Sequence, residues 1–329
     1  MSACAVCIVS YNTCELLRAC LDGVLANSPA PVAVAVVDNG SSDGTIDMLT
    51  HDYPSVRLVK NAHNTGYGPA ANQAFAACVA ENPAETVLVL NSDTRLAPDA
   101  LQQLTVFLDA QPEVGLAGPR LINTDGSLQP SCFHFPTLIE VLLDLANAHK
   151  VIRHLPKLRA AYLRTWDHTY SRAVPWVSGA ALAVRRRAFE AVNGFDPSFW
   201  FYYEETDLCF RLWRAGWKVC FAPVTDVVHV GGGSSASAGG RARQAHLTVQ
   251  LYASLAHFYR RHYPKAAWGA LGLLLKTTAL LRYMRDGRRL RQLERTGGLA
   301  SSQRESLILN RSAWHTMLRG QWASTPPQP

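Results

Sequence analysis

A chain of 329 residues with 48% apolar side chains supports one large or two modest packed domains. The formal net charge of +7 is unevenly placed, with 15 Lys and Arg against 3 Asp and Glu from Arg241 onward, and 17 against 22 in the remainder. The acidic excess suits a divalent cation and the basic tail an anionic partner; no helix-turn-helix, zinc motif or single-strand platform accompanies the basic run, which excludes nucleic acid.

Ala5 to Ser10 reads as the first strand, and Met1 to Ser10 lacks the basic start of a signal peptide. Eight cysteines lie scattered among apolar neighbours, so free thiols in a reducing cytoplasm are expected. Cys4 and Cys7 form a lone pair inside a strand, which argues against a zinc or redox site. Asn12 is expected to cap the helix that follows, with Glu15 resembling a capping box. Leu16, Leu17, Cys20, Leu21, Val24 and Leu25 recur at helical spacing, and Asn27-Ser-Pro breaks the helix. Val32 to Val37 is the second strand, ending in Asp38-Asn-Gly-Ser-Ser-Asp-Gly-Thr45.

Val56 to Val59 is the third strand. A polar loop, Asn61 to Gly68, precedes an alanine-rich helix through Ala80 that can approach a sheet closely. Val87 to Leu90 is a continuous apolar run, the pattern of a strand buried on both faces. It stops at Asn91, Ser92 and Asp93. A carboxylate just past the carboxyl end of such a strand sits where open α/β sheets bind ligands. A helix from Ala97-Pro-Asp99 and a strand at Val114 to Ala117 complete an alternation that predicts a doubly wound, mostly parallel α/β sheet.

After Gly118 the rhythm changes. Leu121 to Ser131 reads as a hairpin about Asp125-Gly126. Residues Ala146 to Arg172 are basic and fit no element. Val174 to Val184 is strand-like, and a short helix from Phe189 ends at Gly194. An aromatic run, Phe195 to Tyr203, leads to Glu204-Glu-Thr-Asp207, with a helix expected from Leu208. Val219 to Phe221 and Val227 to Val230 read as short strands, and His229 meets a glycine loop, Gly231 to Gly233. The tail is mostly helical. Trp268 to Leu281 is apolar apart from Lys276, yet shorter than the ~20 residues of a membrane span. Arg282, Arg285, Arg288, Arg289 and Arg291 follow it, the pattern of an interfacial helix on anionic lipid. Ala323 to Pro329 is expected to be disordered.

Taken singly, the polar sites have ordinary readings. Asp38 and Asp43 fit Asx turns, Asn64 a turn cap, and His229 a buried histidine bonded to backbone. Glu204 and Glu205 fit the acidic start of a helix, and Asp207 a cap for the helix from Leu208. Their order changes the balance. Ile8-Val-Ser-Tyr-Asn12, Val36-Val-Asp-Asn-Gly-Ser-Ser-Asp-Gly-Thr45, Asn64-Thr-Gly-Tyr-Gly68 and Leu90-Asn-Ser-Asp-Thr94 resemble the family 2 glycosyltransferases of GT-A fold. So do Trp176-Val-Ser-Gly-Ala180, Gly194-Phe-Asp-Pro197 and Tyr203-Glu-Glu-Thr-Asp-Leu208. The resemblance spans residues 5 to 235 and is nearest the rhamnosyltransferase-like branch.

The resemblance implies a GT-A domain over 1–240, with a nucleotide-binding half to about 120 and an acceptor half after it. Residues 241–329 form a basic helical extension. A small antiparallel sheet is expected on the acceptor side. The donor, a nucleotide-diphosphate sugar such as dTDP-rhamnose, would meet Ser10, Asn12, Asp38, Asn39, Ser41, Asn64, Gly66, Asn91, Ser92 and Asp93. Asp38 would contact the base, and the loop at Gly66 would let backbone approach the nucleotide. Asp93 and His229 would hold Mg2+ or Mn2+, with Asn91 in the place of a first acid. Trp176, Ser178 and Gly179 would line the side of a glycan or lipid-linked acceptor. Glu205 would be the general base of an inverting transfer, with Glu204 and Asp207 as lesser candidates.

A nucleotidyltransferase would want a basic glycine-rich loop near the first strand, and Ile8 to Cys14 offers neither glycine nor lysine. A dehydrogenase lacks its Gly-x-Gly-x-x-Gly. A non-catalytic, membrane-docked sugar-nucleotide-binding protein is opposed by Asp38, Asp93, Glu205 and His229 standing together.

Overall fold

The structure, a computed structural model, describes residues 4–26, 32–80, 83–231, 240–296 and 301–320. The Asn27-Ser-Pro break, Gly232 and Gly233, and the tail from Ala323 lie outside these residues. The first elements run β1 (Cys4–Ser10), α1 (Cys14–Ala26), β2 (Ala33–Asp38), α2 (Thr45–Asp52), β3 (Arg57–Lys60), α3 (Tyr67–Val79), β4 (Thr86–Asn91), β5 (Thr94–Leu96) and α4 (Ala100–Asp109). Then come β6 (Val114–Ile122), β7 (Leu128–Gln129), β8 (Cys132–Phe133), α5 (Leu138–Leu145), α6 (His149–Ile152), α7 (Pro156–Ala161), β9 (Arg172–Ala173), β10 (Trp176–Val177) and β11 (Ala181–Arg185). The chain continues through α8 (Arg186–Ala191), α9 (Glu204–Arg214), β12 (Lys218–His229), α10 (Gly240–His262), α11 (Lys265–Thr296) and α12 (Ser301–Leu318).

The main sheet has the order β3-β2-β1-β4-β11-β6-β12-β5. β1 pairs in parallel with β2 and β4, so Ser10 sits opposite Asp38 and Val9 opposite Asn91. The polar ends of three strands are thereby brought to one edge. The expected parallel run from β4 to β6 is interrupted, because β11 inserts antiparallel between them. β12 is parallel to β6 and antiparallel to β5, which sets His229 opposite Thr94. A separate two-stranded antiparallel sheet pairs β8 with β10.

Both faces of the sheet are covered. Ala70, Ala71 and Ala74 of α3 are fully buried, and their small side chains bring the helix close to β1 and β2. They share a core with Phe75, Phe189 and Phe195. The opposite face packs Leu17, Leu21, Leu49, Leu104 and Leu108 against Val6, Ile8 and Leu88. Each such large side chain contributes about 1.5–3 kcal/mol on burial. A third core joins α10, α11 and α12 through Phe258, Tyr259, Leu271, Leu275 and Trp314.

Several local expectations are corrected. Asn12 does not cap α1; it takes φ +52°, and the first helical N–H, of Cys14, donates to Asp43 Oδ2 at 2.9 Å. Val174 to Val184 is not one strand, because the chain leaves the sheet at 178–180. α8 starts at Arg186 rather than Phe189, and α9 starts at Glu204 rather than Leu208. The two short strands after Val219 are one strand, β12, with an irregularity between Phe221 and Asp226. Within Trp268 to Leu281, Leu271, Leu275 and Ala279 are buried among the C-terminal helices while Leu273 and Leu281 are exposed. Among the described residues, no helix is long and apolar enough to cross a membrane. All eight cysteines are free, with Cys4 and Cys7 turned to opposite faces of β1.

Candidate active site

A cleft of about 320 Å³ opens at the carboxyl ends of β1, β2 and β4. That volume falls in the range of small-ligand sites. Asn39, Asn64, Gly66, Asn91, Ser92 and Asp93 line it from the first half of the chain, and Ser178, Gly179, Glu204, Glu205 and His229 from the second.

Asp93 follows β4 in the turn before β5. His229 ends β12, and its Nε2 lies 3.4 Å from Asp93 Oδ1. Its Nδ1 lies 2.8 Å from Gln129 Oε1, an acceptor, so Nδ1 carries the proton. Nε2 is then the ring atom turned toward the Asp93 carboxylate, and without a proton it would stand beside that carboxylate as a second acceptor. Two facing acceptors are what a cation between them requires, and a metal-binding histidine commonly donates its other N–H to an oxygen. The hairpin about Asp125-Gly126 thus supplies, through Gln129, the group that orients His229. Among the described residues no third His, Cys, Asp or Glu joins the pair. An oxygen and an imidazole nitrogen are a donor set that could hold Mg2+ or Mn2+, with Asp93 and His229 as the residues that would carry it.

Glu204 and Glu205 open α9. Burial raises the carboxyl pKa of both, and for Glu204 the neighbouring Glu205 charge raises it further. Glu205 is better supported as an anion, because the backbone N–H groups of Glu205, Thr206 and Gly179 bond to it. The environments therefore separate the pair: Glu205 is the one that ionises, and Glu204 stays protonated to higher pH. Each keeps one buried oxygen without a hydrogen-bond partner. Gly179 packs directly on the Glu205 side chain, and a Cβ there would sit at ordinary contact distance, 3.4 Å, from the Glu205 Cβ. Just before the pair, Tyr202 and Tyr203 take φ +67° and +69°. Two adjacent left-handed tyrosines store about 1–3 kcal/mol each, and such strain concentrates at functional sites.

Other expected residues stand behind the cleft wall. Ser10 bonds Thr13 at 3.0 Å, and Thr13 in turn bonds Ser92 at 2.8 Å, a hydroxyl chain linking β1 to β4. Asn12 accepts the Ser42 N–H at 2.8 Å, and the Ser41 hydroxyl accepts the Asn12 N–H at 2.9 Å. Asp38 is fully buried; its Oδ2 accepts the Ser41 N–H at 3.0 Å and its Oδ1 has no partner. It does not line the cleft in this structure; the base contact implied by the resemblance would fall to Oδ1, the oxygen without a partner. Trp176 stacks on Phe133 at 4.4 Å and donates to His134 O, away from the cleft.

Asn39 touches the cleft but is 2% exposed and acts as a clip. Its amide donates to Asn64 Oδ1 and Gly66 O, while its oxygen accepts from Thr65 and Asn61. Gly66 is needed for a contact within the protein. At φ +93°, a Cβ there would lie 2.5 Å from Trp200 O. Gly66→Ala should destabilise the fold by about 2–3 kcal/mol, read as a lower urea midpoint. An unchanged midpoint would mean the Trp200 loop is not seated on Gly66.

Asp207, a candidate base, is turned the other way. It is fully buried, with Arg211 Nε and His262 Nε2 each 2.6 Å from its carboxylate. Arg261 adds an ion pair to Asp196 beside it, Nη2 to Oδ2 at 2.8 Å. The acid at position 207 clasps α10 onto α9. Asp207→Asn should therefore lower stability by about 1–3 kcal/mol yet leave far more turnover than a Glu205 variant. A folded Asp207→Asn enzyme as inactive as Glu205→Gln would restore Asp207 to the chemistry.

Sequence reading missed an aromatic wall of Tyr11, Tyr67, Trp200, Phe201 and Tyr202, although the aromatic run was visible. It also missed His246 and Leu247 of α10, which line the cleft from the C-terminal extension. Ser254 of α10 fixes that wall by donating to Phe201 O at 2.8 Å.

Comparison with known proteins agrees with this architecture. Residues 2–246 match the model described as "Glycosyltransferase like family 2". The chain is 32% identical over 267 residues to the N-acetylglucosaminyl-diphospho-decaprenol L-rhamnosyltransferase of Mycobacterium tuberculosis, covering 78% of this chain and 84% of that protein. It is 26% identical to the low-salt glycan biosynthesis hexosyltransferase Agl10 of Haloferax volcanii, over 68% of this chain and 66% of the other. Among solved structures, the mannosyltransferase PcManGT from Pyrobaculum calidifontis, in complex with GDP-Man and Mn2+, aligns with TM-score 0.53 at 19% identity. That alignment covers 98% of this chain and 88% of the other, and it shows the shared GT-A fold. With the family model spanning most of the chain and the acids at the expected edge of a GT-A sheet, the chain belongs to the family 2 glycosyltransferases.

Proposed function

We propose that this cleft transfers a sugar, with inversion, from a nucleotide-diphosphate donor to a hydroxyl of a glycan or lipid-linked acceptor. The supporting observation is the Glu204–Glu205 pair facing the Asp93–His229 pair across one cleft. dTDP-rhamnose or a similar donor is the first candidate, in line with the rhamnosyltransferase name of the 32% identical relative. Asp93 and His229 would hold Mg2+ or Mn2+; when bound, the cation neutralises charge on the departing diphosphate.

Glu205 takes the proton of the acceptor hydroxyl, and the oxygen attacks the anomeric carbon opposite the diphosphate. Glu204, protonated, supplies a hydrogen-bond donor beside it. The aromatic wall and α10 shape the acceptor side, and holding both partners in line contributes much of the acceleration. Residues 1–240 carry the chemistry, with α10 closing one wall of the cleft, and the basic helices of the extension hold the protein at the inner face of a membrane. The outward Leu273 and Leu281 of α11, with Arg288 and Arg289 beyond, fit an anionic interface.

Thermal shift against a panel of nucleotide sugars with Mn2+ tests the reading. A ligand that binds only the native form raises its melting temperature. dTDP-rhamnose should give the largest rise. A panel in which no nucleotide sugar raises it would contradict the proposal.

A further inference from the structure

The segment between β8 and β9 lines no part of the cleft, and its stretch from Ala146 onward was read from sequence only as basic and unassigned. It leaves unusually large apolar side chains in the open. Ile139 and Leu142 of α5 are 70% and 54% exposed, while Val141 between them is buried. Val151, Leu155 and Leu158 follow at 64%, 44% and 52%. Single exposed leucines are ordinary, but five large apolar groups within one short excursion mark an interaction surface.

The charges around them have one sign. Residues 146–161 contain Lys150, Arg153, Lys157 and Arg159 and no acid. The two acids of α5 are occupied or turned inward. Asp144 accepts from Arg164 at 2.7 Å and from Tyr162 at 3.1 Å. Glu140 is half-buried against a small cavity with Tyr162 and Arg164. The surface continues onto α11, because Arg282 Nη2 donates to Leu145 O at 3.3 Å at the end of α5. There Leu281 is 62% exposed, and Arg285, Arg288 and Arg289 are exposed beside it. The nearby Asp286 is buried and accepts from Arg285 and Trp314, so it does not offset those cations.

We propose that α5 to α7 and the outward face of α11 form one docking face for an anionic lipid bilayer. Apolar side chains enter the acyl boundary while Lys150, Arg153 and Lys157 meet headgroup phosphates. A second copy of the chain is the poorer occupant, because it would bring the same cations together. The face extends the lipid contact proposed for α11, on which it rests, but it assigns half of the contact to an insertion of the catalytic region. The bilayer is thereby placed beside Trp176 and Tyr203, which line the small cavity behind α5.

The test is co-sedimentation of the full chain with vesicles of phosphatidylcholine alone or mixed equally with phosphatidylglycerol. Binding is expected to the mixed vesicles only, and to be released by salt. Lys150→Gln and Lys157→Gln should each lower partitioning about fivefold. Leu155→Glu with Leu158→Glu should remove it. All variants should keep the thermal shift given by a nucleotide sugar with Mn2+. Vesicle binding unchanged in the variants, equal binding to neutral vesicles, or loss of self-association in its place would overturn the docking face. Absence of any nucleotide shift in the wild type would instead overturn the sugar-transfer reading.

Discussion

Glu205→Gln should reduce turnover by about 10²–10⁴-fold while leaving donor affinity within about twofold. The amide keeps the volume of the carboxylate and its place against Gly179, but it cannot take a proton. The loss belongs to the chemical step, so kcat should fall and the donor KM should not. The wild-type pH profile carries the same claim. Burial raises the Glu205 carboxyl pKa, so the proton-accepting form is lost as pH falls through a value above the ordinary ~4.3. Turnover should rise with pH through that raised value and then level off. Glu205→Gln should lose this acid limb along with its activity. Wild-type rates in the variant, or an acid limb at an ordinary carboxylate pKa, would remove Glu205 from the mechanism.

Asp93→Ala should weaken binding of a nucleoside diphosphate in the presence of Mn2+ by at least about a hundredfold, measured by calorimetry. The estimate follows from the geometry. Removing a partner that only orients a metal ligand costs about 10–100-fold in metal affinity, and Asp93 is placed as a ligand. Gln129→Leu gives the companion value: it breaks the 2.8 Å contact to His229 Nδ1 and should cost about 10–100-fold. Neither change should alter the melting temperature of the free protein much, since Asp93 lies on the cleft wall. Equal diphosphate affinity in Asp93→Ala and wild type would show that the diphosphate sits elsewhere.

What the sequence disclosed, it disclosed through local pattern. An apolar run ending in Asn91-Ser-Asp93 announced both a doubly covered strand and a polar group at its end, because burial on two faces leaves a plain signature. Glu205 and His229 were legible only through family resemblance. Nothing in the local spacing says that α9 and β12 meet β4 at one edge. Side-chain direction was the weakest inference. Asp207 lies two residues beyond Glu205, and that step around a helix turns it from the cleft to Arg211 and His262. Asn12 was placed in the right loop, but that loop consumes it in internal bonds, while Asp38 keeps one buried carboxylate oxygen unpartnered. The antiparallel β11 between β4 and β6 was hidden for a related reason, since its pairing joins residues about ninety positions apart and leaves no periodic trace. The contribution of α10 to the cleft was equally long-range. A basic extension read as an appendage proves to supply Leu247 and to anchor the aromatic wall.

The anomeric configuration of the product, read by proton NMR during turnover, bears most directly on a single displacement primed by Glu205. Inversion relative to the donor is the outcome expected when one carboxylate deprotonates the acceptor and no enzyme-bound sugar forms. Retention would require a nucleophile in the cleft and would contradict the assignment of Glu205 as the base.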